Sequence, residues 1–539
     1  MSTLQEAPPE APRRLSLPVA TLIGLLALAA ALGVGHLVAG FVGYTASPFI
    51  AVANYVVDHS PTGIVKWAER TLGTWDKPVL KLGLAVVLVL FALLAGQLSR
   101  RTPRAGQVLV FLLGAAGVAA VFVRSDLGQL SLLAPVAALV AGLAVFTLLH
   151  RLALSRESAH QGAALSRESA HQGAALSREG AALGASRRKF LQVGVGVAAG
   201  SGLAAVVGQV AGTSSDAEDS RAAVGPLVPA RTAPPLPADA DFAKLGSPPF
   251  LTPNADFYRI DTALVVPQLR TEDWSLRIHG MVDREVTFSY ADIRNRPLVE
   301  RRVTLTCVSN EVGGPLISNA TWLGVDLADL LAEAGVQAGA QQMFATSVDG
   351  WTCGTPANVA LDPARGAMLA IGMNGEPLPV EHGFPARIVI PGLYGYVSAT
   401  KWVKSLEFTR WTDRQAYWLS RGWAEQAPIK TESRIDTPRG FAGVTAGKVR
   451  LAGTAWAQHT GIAKVEVRLD QGAWRPAVLS AEVSKDTWRM WWIELDVPKG
   501  THQAFVRATD QDGYTQTENR ADPVPDGATG WHSVTLNAS

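Results

Sequence analysis

Cysteine is almost absent from this chain. Cys307 and Cys353 are the only two in 539 residues, which excludes a disulfide-stapled scaffold and a cysteine-rich iron–sulfur or zinc site. Excess charge of one sign is missing too. The 48 basic and 46 acidic side chains give a formal net charge of +2 with no dense basic stripe, so nucleic-acid binding has no electrostatic support. Histidine is scarce in the apolar runs. His36 alone lies well inside one, so a haem held there by two histidines lacks its second ligand.

What is present is unevenly divided. Up to about residue 213 the chain is Ala, Leu, Val and Gly with sparse charge, and thirteen of the fifteen Trp lie after residue 250. A bilayer core takes roughly 20 apolar residues per helix, because each backbone polar group must be paired within the span. Leu15 to Tyr44 carries no formal charge, and Leu82 to Leu98, Gly106 to Val123 and Leu130 to His150 are three further runs. Four in succession favour membrane spans over buried core helices. The loop after the second run holds Arg100, Arg101 and Arg104 without an acid, whereas the stretch from Thr45 to Lys77 balances bases with acids. The positive-inside rule then puts the N-terminus in the cytoplasm and makes 45–77 an outer loop. Residues 1–152 are expected to be an all-α transmembrane bundle of four spans.

Residues 153–185 read as a cytoplasmic linker with an internal repeat. ALSRESAHQGA begins at Ala153 and again at Ala164, and a degenerate copy starts at Ala175. That period suits one stripe along a long helix. His160 and His171 are one period apart with no third ligand in phase, which favours a solvated linker over a metal site. Ser186-Arg187-Arg188-Lys189-Phe190-Leu191, with the mild apolar run after it, resembles a twin-arginine export signal; the competing reading is the basic flank of an ordinary anchor. The resemblance implies a route that moves proteins already folded, often with a cofactor inserted. With no clear cleavage context, 186–213 is expected to stay as a fifth span, leaving the C-terminus outside.

Residues 214–249 are rich in Pro, Ala and acid and read as a flexible linker. Within 250–437, β-branched runs such as Val303 to Thr306 and Ala386 to Ile390 alternate with helical stretches such as Leu327 to Ala334, an α+β pattern. From Gly447 short strands follow one another: Val449 to Leu451, Lys464 to Leu469, Trp491 to Leu495 and Gln503 to Ala508. Residues 438–539 are therefore expected to form an immunoglobulin-like sandwich.

Four segments carry more specific information. They are Thr252-Pro253-Asn254 with Phe257 to Asp261; Leu305-Thr306-Cys307-Val308-Ser309-Asn310 with Trp322-x-Gly324; Glu381-His382-Gly383-Phe384-Pro385-Ala386-Arg387 through Gly392, running into Tyr394-Gly395-Tyr396 and Lys401-Trp402; and Arg507 to Asp510 with Pro525 to His532. In this order and spacing they resemble the sulfite oxidase family of molybdopterin enzymes over roughly residues 250–535, and HGFPxRxVxPG is the most specific piece. The resemblance implies a central α+β molybdopterin domain followed by an immunoglobulin-like domain that commonly mediates dimerisation in relatives.

The residues fit such chemistry in their own right. A soft thiolate suits a soft metal, and one cysteine at the end of a strand can supply it. The resemblance makes Cys307 the single protein ligand of molybdenum, beside the dithiolene sulfurs of the pterin. A Cys307–Cys353 disulfide is the competing reading for a protein outside the membrane. The pterin phosphate calls for cationic and amide donors. The resemblance assigns cofactor contacts to Asn254, Phe257, Tyr258, Arg259, Asp349, His382, Arg387, Ser398 and Lys401. A surface ion pair remains the alternative for His382 and Arg387, and plain core packing for Tyr258. Arg259 and Tyr417 match substrate-side residues, and with Cys307 they make up the catalytic set.

The pocket departs from the family at one place. Sulfite oxidases carry arginines just after the metal cysteine, where this chain has Asn310-Glu311-Val312. An anion loses charge-assisted hydrogen bonds there, so sulfite and a neutral sulfoxide or N-oxide are both open as substrates. The expected function is a membrane-anchored bacterial molybdenum-cofactor oxidoreductase outside the cell membrane, performing two-electron oxygen-atom transfer. A cytochrome or quinone would carry its electrons, and a homodimer is open. The alternative is a non-catalytic surface binding or sensory protein that retains the fold.

Overall fold

The computed structural model describes residues 14–72, 75–124, 127–169, 175–212 and 216–539. The chain divides into two compact units, Met1–Ser214 and Ser215–Ser539.

The helices of the first unit are α1 (Leu17–Val42), α2 (Pro48–His59), α3 (Thr62–Leu72), α4 (Asp76–Leu98), α5 (Arg104–Phe122), α6 (Leu133–Ser169) and α7 (Ala175–Gly212). Among the described residues, five stretches are long and apolar enough to cross a membrane: Leu17–Val42, Asp76–Leu98, Arg104–Phe122, Gln129–Leu154 and Arg188–Ala211. Small residues let these helices approach closely. A Cβ on Gly24 would run into the Ala92 carbonyl, and one on Gly96 into the Ala20 carbonyl, which fastens α1 to α4. Polar side chains meet where α1 nears α7. His36 Nε2 lies 3.2 Å from Gln209 Oε1, and the Tyr44 hydroxyl donates to that oxygen over 2.6 Å.

The stretch from 45 to 77 is no plain loop, because it contains α2 and α3. Pro48 opens α2, and Ile50, Ala51 and Ala53 are its buried residues, a pattern that a count of charges does not register. The described residues of the eleven-residue repeat are helical, as the C-terminal part of α6 and the start of α7; His171 lies outside the described residues.

In the second unit, residues 216–249 are not a free linker. Helix α8 (Asp216–Val224) buries Ala217 and Val224. Arg221 Nη2 donates to Glu376 Oε2 over 2.8 Å, and its Nε to the Leu378 carbonyl over 2.9 Å. Farther on, the Ala230 N–H donates to the Leu298 carbonyl over 2.8 Å. Small and Pro-rich composition suits a docked strap as well as a flexible one, and only partners distant in the chain decide between them.

The central strands are β1 (Ser275–Gly280), β2 (Val286–Ser289), β3 (Val299–Thr306), β4 (Ile317–Asp326), β5 (Gln342–Ser347), β6 (Thr352–Pro356), β7 (Met368–Met373), β8 (Glu376–Pro377), β9 (Arg387–Val389) and β10 (Val403–Thr409). They make one sheet of order β2-β1-β10-β5-β6 and another of order β3-β4-β7-β8, with β9 paired to β7. Every residue of β7 is buried, so its run Met-Leu-Ala-Ile-Gly-Met shows no alternation. Helix α9 (Tyr290–Arg294) starts from a reciprocal cap in which the Ser289 hydroxyl accepts from the Asp292 N–H and the Asp292 carboxylate from the Ser289 N–H. Helix α10 (Leu327–Ala334) stops at Gly335, whose φ of 68° suits glycine. Short helices α11 (Ala357–Leu361) and α12 (Gly395–Ser398) follow.

The rest of the chain is all-β: β11 (Glu432–Thr437), β12 (Ala442–Val444), β13 (Gly447–Trp456), β14 (Ile462–Leu469), β15 (Arg475–Pro476), β16 (Val478–Leu479), β17 (Arg489–Val497), β18 (Gly500–Asp510) and β19 (His532–Ala538). They form sheets of order β11-β13-β17-β16 and β12-β19-β18-β14-β15. Alternate residues from both sheets, Leu451, Ile493, Val465, Val506 and Leu536 among them, share one apolar core.

Candidate active site

The β3 strand ends at Thr306, and Cys307 follows as the first residue of a turn. Its N–H donates to the Leu316 carbonyl and its carbonyl accepts from the Asn310 N–H, each over 3.0 Å. Cys307 is half-buried, and Cys307 and Cys353 are not joined in a disulfide. Cys353 lies on β6, 1% exposed, its sulfur 3.9 Å from Thr355 Oγ1. Burial pushes that thiol up to about 11, so it stays protonated at neutral pH.

Around the loop that joins β8 to β9, the structure brings together residues far apart in sequence. His382 is 3% exposed, and its Nε2 lies 3.0 Å from the Asn254 carbonyl. A carbonyl only accepts, so the proton sits on Nε2 and leaves Nδ1 as the acceptor. Phe257 stacks on Tyr258 and presents an edge contact to both His382 and Trp322. Arg387 is buried over the Trp322 ring, its guanidinium carbon 4.9 Å from the centroid. Its Nη1 donates to the His382 carbonyl over 3.0 Å. Lys401 Nζ donates to Asp261 Oδ2 over 2.9 Å and to the Glu381 carbonyl over 3.1 Å. Arg259 shares that carboxylate oxygen at 3.0 Å.

Four basic side chains, His382, Arg387, Lys401 and Arg259, thus lie with a single carboxylate, Asp261, bonded to the last two. Burial holds His382 down to about 4, Lys401 down to about 8 and Arg387 down to about 10, with Asp261 opposing the shift at Lys401. Near neutral pH, His382 is uncharged while Lys401 and Arg387 keep their protons. Buried Arg387 Nε has no hydrogen-bond partner. An orphaned charged donor in this position fits an anionic group such as a phosphate, so the residues suit a molybdopterin. The Tyr258 hydroxyl is held far above the ordinary phenol range by burial and then by the negative charge of Cys307, and Tyr394 likewise by burial foremost, with Cys307 among the further causes. Both remain O–H donors.

Three other sequence-derived candidates make contacts of their own. Ser398 ends α12, fully buried, and its hydroxyl donates to the Leu393 and Tyr394 carbonyls over 2.9 and 3.0 Å, so it fixes the backbone. Asp349 is on the turn between β5 and β6, where Oδ1 accepts from the Trp351 N–H over 3.2 Å. Tyr417 donates its N–H to Thr352 Oγ1 over 3.0 Å and lies under Arg421, whose guanidinium carbon is 3.6 Å from the ring centroid. Trp322 and Tyr394 have no assigned role in the sequence reading, although both lie inside its motifs.

The His382 shift has a measurable consequence. An unfolded chain takes up a proton near pH 6.5 that the folded protein refuses down to about pH 4. Stability is therefore present above pH 6.5 and is lost as pH falls towards 4, by at most about 3 kcal/mol from this group. His382→Gln, which keeps a donor for the Asn254 carbonyl, is expected to flatten the fall of Tm between pH 6.5 and 4. Parallel Tm–pH curves for variant and wild type would count against the assignment.

The family description "Oxidoreductase molybdopterin binding domain" matches residues 263–418. The mitochondrial sulfite oxidase of Macaca fascicularis is 31% identical over 322 residues, which is 51% of this chain and 58% of that protein. This chain therefore spans little more than half the length of that relative. The uncharacterized oxidoreductase YuiH of Bacillus subtilis is 35% identical over 150 residues, covering 28% of this chain and 72% of that one. The crystal structure of the sulfane dehydrogenase SoxCD from Paracoccus pantotrophus aligns with a TM-score of 0.48 at 22% identity, over 57% of this chain and 88% of that one. With most of YuiH covered at that identity and the domain description matched over His382, Arg387 and Lys401, the chain belongs to the molybdopterin-binding oxidoreductases of the sulfite oxidase family.

Proposed function

We propose that this chain is a membrane-anchored, extracytoplasmic bacterial oxidoreductase that transfers an oxygen atom between water and a small substrate. The observation that carries the reading is the buried convergence of His382, Arg387 and Lys401, with a donor to spare, beside Tyr258, which feels the charges of both Arg387 and Cys307, the residue after β3. A bound molybdenum–molybdopterin would supply the two-electron redox change. Cys307 would be its single protein ligand. Arg387 and Lys401 bind the anionic end of the group, while neutral His382 offers Nδ1 to a donor on it. Asn254, Phe257 and Tyr258 line the way past it, with Asp349 and Ser398 shaping the surrounding backbone. Burial keeps the Tyr258 and Tyr394 hydroxyls protonated at neutral pH, so they serve as hydrogen-bond donors and not as bases. Arg259 is the cation on the substrate side, and Tyr417 the hydroxyl there.

Residues 250–437 are assigned to catalysis and 438–539 to an immunoglobulin-like sandwich, supported by two sheets around a shared core. Sulfite and a neutral sulfoxide or N-oxide are both retained as substrates, because Asn310-Glu311-Val312 carries no cation. A cytochrome or quinone would take or give the electrons. Protein purified from its own membrane is expected to carry about one molybdenum per chain, as the single thiolate ligand implies, and to turn over one of these substrates with an artificial redox dye. A metal content near zero would leave the non-catalytic surface protein as the better reading.

A further inference from the structure

The loop after Cys307 closes on itself. The Leu316 N–H donates to Asn310 Oδ1 over 2.8 Å, and the Gly314 N–H to the Glu311 carbonyl over 2.7 Å. With the Cys307–Leu316 and Asn310–Cys307 backbone bonds, residues 307–316 behave as one hydrogen-bonded piece. Movement at Gly314 is therefore felt at Cys307.

This piece is gripped from outside by the C-terminal strands. Arg434 on β11 donates through Nη1 to the Gly314 carbonyl over 2.7 Å and through Nε to Asp436 Oδ1 over 2.7 Å. Asp436 is fixed in turn by the Thr454 hydroxyl on β13, over 3.1 Å. The ring of His532 covers Gly313, whose φ is +78° and where an added Cβ would collide with the ring. His532 Nδ1 accepts from the Ile435 N–H over 3.0 Å, so that ring is oriented by the strand that carries Arg434. Burial holds His532 down to about 4, and it stays neutral in this position. Arg434 uses two donors of one rigid fork, an arrangement a lysine ammonium cannot reproduce.

We propose that Arg434 is a positioning residue for the reaction: by holding the Gly314 carbonyl, the β11 strand sets the conformation of the loop that presents Cys307 and faces the substrate. The proposal rests on the reading of Cys307 as the metal ligand. It adds that the chain shapes the substrate side partly from a strand of the C-terminal sheets, beyond the residues 263–418 matched by the family description, at the segment where Asn310-Glu311-Val312 departs from the family pattern.

The test uses the full chain in detergent and compares Arg434→Gln and Arg434→Lys with Arg450→Gln, an exposed arginine on β13 that pairs with Glu494. Hydrogen exchange followed by mass spectrometry should show amides of residues 310–316 exchanging about tenfold faster in both Arg434 variants, the loss expected for a charge-assisted bond. Strands β3 and β7 and the Arg450→Gln protein should be unchanged. In turnover, KM for whichever substrate the wild type accepts should rise about tenfold with kcat altered less than about twofold. If Arg434→Gln does not fold, Arg434→Lys, which keeps the charge beside Asp436, carries the comparison. Unchanged exchange at 310–316, or faster exchange spread evenly over β3 and β7, would overturn the proposal. A wild-type protein without molybdenum would instead overturn the catalytic reading, and the exchange result would still report on the loop.

Discussion

Cys307→Ser is expected to reduce turnover to background while the second unit stays folded. An alcohol is a far weaker donor to a soft metal than a thiolate and keeps its proton at neutral pH. The fold should tolerate the change, because the turn is held through backbone atoms: the residue 307 N–H on the Leu316 carbonyl and the Asn310 N–H on the residue 307 carbonyl. Much of the pterin should be retained as well, since Arg387, Lys401 and His382 lie on other segments. Cys353→Ser is expected to do the reverse. It places a hydroxyl in a fully buried site on β6, costing about 1–2 kcal/mol of stability unless the hydroxyl finds a partner, with activity kept. Activity, molybdenum content and Tm for the two variants side by side separate the metal ligand from the packed thiol. Equal damage from both, confined to stability, would mean that the two cysteines act as a disulfide pair.

Replacing Arg187 and Arg188 together by lysine is expected to trap the C-terminal unit inside the cell. The substitution keeps the positive charge, which is what a plain topological anchor responds to. An export receptor instead reads the arginine pair as an address. Packing gives little reason for the change to disturb the bundle, since Arg188 is exposed on α7 while Phe190, two residues on, is the buried anchor of that turn. In spheroplasts, added protease should digest the C-terminal unit of the wild type and spare that of the double variant. Equal digestion of both would reduce the motif to an ordinary basic flank.

Some of this molecule was legible in the chain alone, and the reason is locality. Spans are set by run length, because a helix in lipid must satisfy its own backbone; the runs at Leu15, Leu82, Gly106 and Leu130 reappear as apolar helices of span length. Leu327–Ala334 needed only its apolar spacing and the glycine that follows. The β3 strand needed only its β-branched run, and Cys307 at its end stood out because the motif around it is contiguous.

The tertiary structure alone decided whatever depends on partners distant in sequence. Composition made 214–249 a free linker, yet Arg221 finds Glu376 and Ala230 finds Leu298. Charge balance along 45–77 said nothing of its local structure, where α2 buries Ile50, Ala51 and Ala53. The resemblance grouped His382 with Arg387 but could not reveal that the imidazole closes on the Asn254 carbonyl across 128 residues, that Trp322 supplies the face beneath the guanidinium, or that Asp261 ties Lys401 to Arg259. Nor did any local pattern tell that Arg434 reaches back 120 residues to Gly314. Helix, strand and span propensities are written in neighbouring residues, whereas burial, charge pairing and orphaned donors arise only when remote segments are brought together.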